Sequence, residues 1–147
     1  MNMQLRQEYP VEAGDFVRAG EASADIKRKL KYLGVPGAVL RRVAVASYEA
    51  EINLVIHSQG GALLLEMDGT QVCLTSSDRG PGIADVALAM QEGYSTAGEE
   101  ARNMGFGAGM GLPNMRRNAD SFHIRSAEGC GTVIRMAFDL QGSLREG

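Results

Sequence analysis

Two polar side chains one helical turn apart form the first pattern in this sequence that could do chemistry. Glu49 and Asn53 interrupt a largely apolar stretch over residues 36–58. Because four residues make just over one helical turn, a carboxylate and an amide would project from nearly the same face. Such a pair could accept a proton and hold Mg²⁺ beside phosphates. Structural pairs at this spacing are also common, so the pair alone does not assign a function.

A second pattern begins where a predicted strand ends. Asp78 stands there, followed by Gly80 and Gly82. An aspartate in this place could accept a hydrogen bond from an exocyclic amine, while glycine backbone passes close to a flat ring. An ordinary turn with an Asx hydrogen bond explains the same residues. The two interpretations stay open on this motif alone.

The third pattern is a glycine-rich run, GFGAGMGL, over residues 105–112. Backbone N–H groups at the start of a helix attract phosphate, and glycines allow close approach. No Gly-Lys-Ser/Thr follows, which excludes a Walker A loop. The late position, after a long loop, disfavours a Rossmann dinucleotide fingerprint. Glycine is 19 of 147 residues, about 13% against a usual value of about 7%. Eight of these glycines fall between Gly80 and Gly111.

Length and composition limit the classes of protein in which these motifs could act. A chain of 147 residues predicts one domain, spanning 1–147 with its core at about 10–138. No apolar window is long enough for a membrane span, and the N-terminus lacks the apolar region of a signal peptide. The net charge of −3 argues against a direct role on nucleic acid. Two cysteines need not pair, so a reduced, cytoplasmic location is expected.

Periodicity and turn residues place the motifs on a predicted order of β-α-α-β-β-α-loop-α-β-β. The first strand is predicted to lie at a sheet edge and to end at Pro10. Asp68-Gly69 predicts one hairpin, and a second is predicted to turn at Glu128-Gly129-Cys130-Gly131. The predicted strands cover 3–10, 62–67, 71–77, 121–126 and 132–138. The predicted helices cover 15–33, 36–58, 83–92 and 111–119, with a long loop at 93–110. Helices cannot alternate one-for-one with parallel strands in this order. The fold class is therefore α/β (α+β): a two-layer sandwich of a mostly antiparallel sheet with helices on one face.

Taken together and in order, the motifs resemble the Bergerat (GHKL) ATP-binding fold of gyrase, Hsp90, MutL and histidine kinases. The Glu49–Asn53 pair resembles the N box, and DRGPGI at 78–83 resembles the first glycine box. Residues 105–112 resemble the second glycine box, and Gly131-Thr132 resembles the Gly-Thr before a late strand. The short domain, with SDRGPGIADVALAMQEGYSTA and GFGAGMGLPNM, is most similar to bacterial switch kinases. These are the anti-sigma serine kinases and stressosome-type kinases of the RsbW, RsbT and SpoIIAB types. An extra Gly-Phe at Phe106 departs from the usual glycine core.

The resemblance implies a role for each matched residue, with ATP or ADP and Mg²⁺ as ligands. Glu49 would be the general base, Asn53 would bind Mg²⁺, and Asp78 would bind the adenine amine. Arg102, in the predicted loop at 93–110, would contact the γ-phosphate. The other nucleotide-binding positions that it implies are Gly80, Gly82, Ile83, Thr96, Gly105, Gly107, Gly109, Met110, Gly111, Leu112 and Thr132.

In function, the resemblance implies a serine/threonine kinase that acts on a STAS-domain antagonist protein (anti-anti-sigma-like). Two other hypotheses stay open. One is a regulator that binds ATP as a structural ligand and sequesters a sigma factor or another partner. The other is a simple ATPase or an accessory module of a larger complex. Neither nucleic acid nor membrane is an expected partner, and pairing of two copies into a homodimer stays open. The carboxylate of Glu49 favours the kinase, since a pure binder would not need it.

Overall fold

A five-stranded antiparallel sheet forms one layer of the molecule. The computed structural model describes residues 4–57, 60–79, 111–126 and 131–141. Within these ranges the strand order is β1-β2-β3-β5-β4, and all four pairings are antiparallel. The strands are β1 (Leu5–Val11), β2 (Gly61–Met67), β3 (Gln71–Asp78), β4 (Ser121–Ser126) and β5 (Thr132–Asp139). The predicted sandwich of a mostly antiparallel sheet is confirmed.

Three described helices cover one face of this sheet and form the second layer. They are α1 (Glu21–Tyr32), α2 (Gly37–His57) and α3 (Gly111–Asn118). Alternate residues of β2, β3 and β5 are buried against them, as expected for strands with one face on a core. The helix α2 lies centrally and contacts both α1 and α3. Its buried residues belong to the same core as Leu63, Leu74 and Phe138 of the sheet. The layer that carries the candidate site is thus built around α2.

The first helix is shorter than the sequence pattern predicts. It begins at Glu21 rather than at Asp15, so the predicted start is wrong. Gly20 has a φ of 100°, a left-handed conformation that interrupts a right-handed helix. Phe16 and Ala19 still pack against the core, but from the segment before the helix. At the other end the helix stops as predicted, because Gly34 has a φ of 85°.

The two predicted hairpins are present, with one correction to the first loop. Val72 pairs with Met67, and Asp68 N donates to the Gln71 carbonyl at 3.1 Å, so Gly69 and Thr70 form the loop. Asp68 stands before this loop rather than in it, and its carboxylate accepts from Thr70 N at 2.7 Å. That hydrogen bond is the largest of the contributions that lower the pKa of Asp68.

The first strand lies at an edge of the sheet, as predicted, but Pro10 does not end it. Pro10 pairs with Ala62, and the strand continues to Val11. An edge strand tolerates proline because one side of its backbone has no strand partner. The predicted helix at 83–92 and the loop at 93–110 lie outside the described residues. Within the described part of the chain, no helix is long and apolar enough to span a bilayer.

Candidate functional site

Glu49 and Asn53 lie one turn apart on α2, and both face α3. The Nδ2 of Asn114 donates a hydrogen bond to Oε2 of Glu49 at 2.8 Å. One turn toward the start of α3, Gly111 lies against Asn53: an added Cβ at Gly111 would be 3.1 Å from Asn53 Oδ1. Such a distance is tighter than ordinary van der Waals contact. Glycine at this position therefore lets the first residue of α3 approach the Asn53 amide closely.

The far end of α3 is fixed on α2 by Arg42. Its Nη1 donates to the Asn118 carbonyl at 3.4 Å and to Asp120 Oδ1 at 3.3 Å. The guanidinium therefore satisfies a carbonyl at the end of α3, where helices leave carbonyls unpaired. Along α2, Arg42 contacts Asn118, Glu49 contacts Asn114, and Asn53 contacts Gly111. The residue numbers rise on α2 and fall on α3. The two helices are thus antiparallel, and the start of α3 is placed beside the two candidate polar residues.

Asp78 occupies the last position of β3, where the neighbouring strand β5 begins. Its Oδ1 accepts a hydrogen bond from Thr132 N at 2.9 Å. Gly131 has a φ of 76°, and an added Cβ there would lie 2.3 Å from the Asp78 carbonyl oxygen. The hydroxyl groups of Thr132 and Ser126 are 2.7 Å apart. The aspartate is therefore held by the backbone of β5, and glycine is needed at 131 for this approach.

The end of α2 and the strand end that carries Asp78 lie on the same side of the molecule. Helix α2 ends at His57, and β2 begins at Gly61, which pairs directly with Asp78. An added Cβ at Gly61 would lie 2.0 Å from the Ser77 carbonyl oxygen, so the two strands meet through glycine there. Arg79 N donates to the Gly60 carbonyl at 3.0 Å and continues the contact. Asp78 at the strand end therefore lies near the end of α2, which is one helical turn after Asn53.

Tyr48 and Glu51 lie on either side of Glu49 along α2, and their environments differ from that of Glu49. Burial raises the pKa of the Tyr48 phenol, and the charges of Glu49 and Glu51 raise it further. Tyr48 therefore stays protonated at neutral pH. Glu51 is 3% exposed, and its carboxylate accepts hydrogen bonds from the backbone N–H groups of Ala22 and Ser23 at 3.1 and 2.9 Å. Its two oxygens are thus engaged by the first turn of α1, whereas Glu49 faces α3.

The described residues include six of the predicted site positions. Glu49, Asn53 and Gly111 come together at the α2–α3 contact. Asp78 and Thr132 come together between β3 and β5. Leu112 is 8% exposed and belongs to the hydrophobic core. The other predicted positions lie outside the described residues: Gly80, Gly82, Ile83, Thr96, Arg102, Gly105, Gly107, Gly109 and Met110.

Asn114 and Ser126 were not identified from the sequence, yet both contact the predicted residues. Asn114 lies three positions after Gly111, one helical turn along the predicted helix. Its polar side chain on that helix was the available signal, since a helix that starts at 111 places 111 and 114 on one face. Ser126 ends β4 opposite Thr132. Only the strand register, which the sequence does not give, brings these two together.

Comparisons with known proteins give the family of this domain. Residues 15–138 match the family model described as a histidine kinase-like ATPase domain. The anti-sigma F factor of Pasteuria penetrans is 40% identical over 102 residues, which is 65% of this chain and 65% of that protein. The serine/threonine-protein kinase RsbT of Bacillus subtilis (strain 168) is 29% identical over 125 residues, covering 82% and 86%. The chain therefore spans just under two thirds of the first of these relatives.

A solved structure shows the same fold at low sequence identity. The mycobacterial sensor histidine kinase MprB superposes with a TM-score of 0.52 at 15% identity, covering 90% of this chain and 97% of that one. This likeness concerns the fold alone. The matched residues, 15–138, make up most of the chain, and the α2 pair, Asp78 and Thr132 lie within them. This chain therefore belongs to the family of histidine kinase-like ATPase domains.

Proposed function

We propose that this chain is a Mg-ATP-dependent serine/threonine protein kinase that phosphorylates a STAS-domain antagonist protein in a bacterial partner-switching pathway. It would act as one GHKL domain with its core at about 10–138. The observation that carries the proposal is the α2–α3 contact. There the Glu49 carboxylate is oriented by a hydrogen bond of 2.8 Å, one turn from the Asn53 amide oxygen, whose neighbour at residue 111 has no side chain. A relative named as a serine/threonine-protein kinase, RsbT, supports the reaction class.

The residues present fit a nucleotide and a magnesium ion. The Asn53 amide offers a hard oxygen, and Gly111 leaves open the space that a Cβ would fill beside it. Among residues 4–57, 60–79, 111–126 and 131–141, no three His, Cys, Asp or Glu side chains are grouped to hold a metal. Mg²⁺ in nucleotide sites commonly uses one or two protein ligands plus phosphate oxygens, so a single amide suffices. When bound, the ion would neutralise phosphate charge.

The proposed chemistry assigns one task to each described residue. Glu49 accepts the proton of an acceptor serine or threonine hydroxyl. The hydroxyl oxygen forms a bond to the γ-phosphorus, the bond from that phosphorus to the β-phosphate oxygen breaks, and ADP leaves. Asp78, already fixed by Thr132 N, accepts a hydrogen bond from the adenine amine. Positioning and charge neutralisation are the main demands of phosphoryl transfer, so these few groups are adequate.

The test combines radiolabelled ATP, Mg²⁺ and a panel of recombinant STAS-domain proteins with two variants on α2. Glu49→Ala should lower phosphate transfer by about 10²–10⁴-fold, the usual contribution of a general base. Its Kd for ADP should stay within about twofold, because the base acts in the transition state. Asn53→Ala should weaken both Mg²⁺-dependent ADP binding and transfer. Glu12→Ala changes an exposed glutamate before α1 and serves as the matched control.

The second candidate function is a regulator that binds ATP and sequesters a sigma factor without transfer. It is favoured by a relative at 40% identity named as an anti-sigma F factor. If the wild-type chain transfers phosphate to none of the STAS proteins yet binds ADP and a sigma factor, this second function replaces the first. If Glu49→Ala transfers phosphate at the wild-type rate, Glu49 is not the base.

A further inference from the structure

A side chain from α3 contacts the carboxylate that the proposed function uses as a base. Asn114 and Glu49 are 65 residues apart in the chain, and Nδ2 of the asparagine lies 2.8 Å from Oε2 of the glutamate. Both residues are half-buried. A hydrogen bond to a carboxylate is stronger than one between neutral groups, particularly where water is partly excluded. The contact is therefore strong enough to select one orientation of the Glu49 side chain.

The orientation of the Asn114 amide is itself fixed within α3. Arg117 Nη2 donates to Asn114 Oδ1 from one turn further along the helix. An amide oxygen only accepts and an amide nitrogen only donates, so occupation of Oδ1 by Arg117 directs Nδ2 to Glu49. Asn118 Nδ2 also donates to the Asn114 carbonyl at 2.8 Å. Two successive hydrogen bonds thus connect the Arg117 guanidinium, on the surface of α3, through the Asn114 amide to the Glu49 carboxylate.

The same helix also sets the position of the proposed magnesium ligand. Gly111, one turn before Asn114, lies against the Asn53 amide. A general base must hold one oxygen toward the hydroxyl that it deprotonates, and a free glutamate side chain samples many rotamers. Anchoring Oε2 leaves Oε1 with no hydrogen-bond partner among the residues that the structure describes. One rigid helix therefore orients the base and places the amide ligand together, which lowers the cost of reaching the reactive arrangement.

We infer that Asn114 is a positioning residue for Glu49: it donates to Oε2, with its own amide oriented by Arg117, and thereby presents Oε1 to the acceptor hydroxyl. This inference rests on the proposed kinase function. It goes further by giving a task to a residue that no ligand need touch. Asn114 acts through Glu49, so its loss should change the rate of transfer and leave nucleotide affinity unchanged.

The test measures single-turnover phosphate transfer at saturating Mg-ATP, using a STAS protein found in the preceding assay, together with the Kd for ADP. Asn114→Ala should lower the rate by roughly 10- to 100-fold, as expected for the loss of a hydrogen bond to a charged group. Asn114→Asp keeps the shape but replaces the donor by an acceptor, so its rate should fall at least as far. The Kd for ADP should stay within about twofold in both variants. Arg116→Ala, a change of an exposed residue on the same helix, is the matched control and should transfer at the wild-type rate.

Each other result overturns the inference. A wild-type rate for Asn114→Asp would show that only the shape of the side chain matters. A faster rate for either variant would show that the contact restrains Glu49 rather than presenting it. Equal losses in rate and in ADP affinity would show a general disturbance of the site.

A second measurement tests the contact without any transfer. In a nitrogen-15 NMR spectrum, the Asn114 side-chain amide should be displaced from the signals of exposed asparagines and should return to them in Glu49→Ala. An unchanged Asn114 signal in that variant overturns the contact. If the wild type transfers no phosphate while the signal moves, the proposed function fails, and with it the role of Glu49 as a base, although the contact is present.

Discussion

The Asp78 carboxylate accepts a hydrogen bond from the protein backbone, which orients it. Thr132 N donates to its Oδ1, and the chain reaches this position only because residue 131 is a glycine with a φ of 76°. A side chain at 131 would have to overlap the Asp78 carbonyl oxygen, 2.3 Å from the added Cβ. The carboxylate is therefore arranged in advance for a ligand donor, which reduces the ordering cost of binding.

Gly131→Ala should destabilise the fold by more than Gly34→Ala and should also weaken ADP binding. Both glycines have positive φ, which costs a non-glycine residue about 1–3 kcal/mol. Gly34 has open space around its Cα, so its change isolates that conformational cost. Gly131→Ala adds the overlap with Asp78. Urea unfolding with calorimetric ADP titration measures both effects. Equal losses in the two variants would contradict the role given to residue 131.

For single residues, contacts between near neighbours in the chain can be predicted from the sequence better than contacts between distant residues. The spacing of Glu49 and Asn53 predicts a shared helix face, because helical geometry fixes the relation of residues four apart. The Asn114–Glu49 bond depends on how α3 lies along α2, and 65 residues separate its partners. No periodicity encodes that relation. The close approach of Gly111 to the Asn53 amide likewise depends on tertiary packing, although the glycine itself is conspicuous in the sequence.

The start of helix α1 is capped by a side chain of the next helix, 29 and 28 residues further along the chain. Gly20, its N-cap residue, makes no side-chain capping hydrogen bond. The Glu51 carboxylate of α2 instead accepts from Ala22 N and Ser23 N. These are among the N–H groups that a helix start leaves unpaired, and a carboxylate there also suits the helix dipole. Helix α2 therefore sets where α1 begins, which explains why the apolar periodicity from Asp15 onward predicted the start too early.

Glu51→Ala should lower the free energy of unfolding by about 2–4 kcal/mol, since a part-buried and a buried N–H group lose a charged acceptor. Glu21→Ala, at an exposed acidic residue in the first turn of α1, is the matched control. It removes only a favourable charge near the helix start, worth about 0.3–1 kcal/mol. Urea unfolding followed by circular dichroism measures both. A loss for Glu51→Ala no larger than that of the control would show that α1 does not depend on this cap.

The fold class of the whole molecule follows from local signals, whereas its strand order does not. Two hairpins are encoded by turn residues and give the pairs β2–β3 and β4–β5. The pairs β1–β2 and β3–β5 join strands that are far apart in the chain. Long-range pairing is selected by burial of one sheet face under the helices, a collective effect that no single segment reports. The candidate site depends on that selection, since Asp78 and Thr132 meet only through the β3–β5 pair.

Because the candidate site joins distant parts of the chain, a nucleotide bound there should stabilise the whole fold. Unfolding separates Asn53, Asp78 and Thr132, so the unfolded chain would not retain the site. Stabilisation then follows RT ln(1 + [L]/Kd), about 2.7 kcal/mol at a hundredfold excess of ligand over Kd. For a domain of this size, that corresponds to a rise in Tm of about 5–10 °C. Thermal unfolding with and without saturating Mg-ADP measures it, and no rise would contradict a nucleotide site.

Two isosteric variants test whether this rise in Tm depends on Asp78, the proposed binding residue, and not on Glu49, the proposed base. Asp78→Asn should reduce it, because a hydrogen bond to a charged group is worth about 1.5–3 kcal/mol and its loss raises Kd by roughly 10- to 100-fold. Glu49→Gln should keep it, because the proposed base acts on the acceptor hydroxyl rather than on bound ADP. Comparing each variant with and without ligand cancels its own change in stability, which matters for Asp78 because Thr132 N also bonds to it. Equal reductions would mean that Asp78 and Glu49 both bind the nucleotide, and the separate roles assigned to them would be wrong.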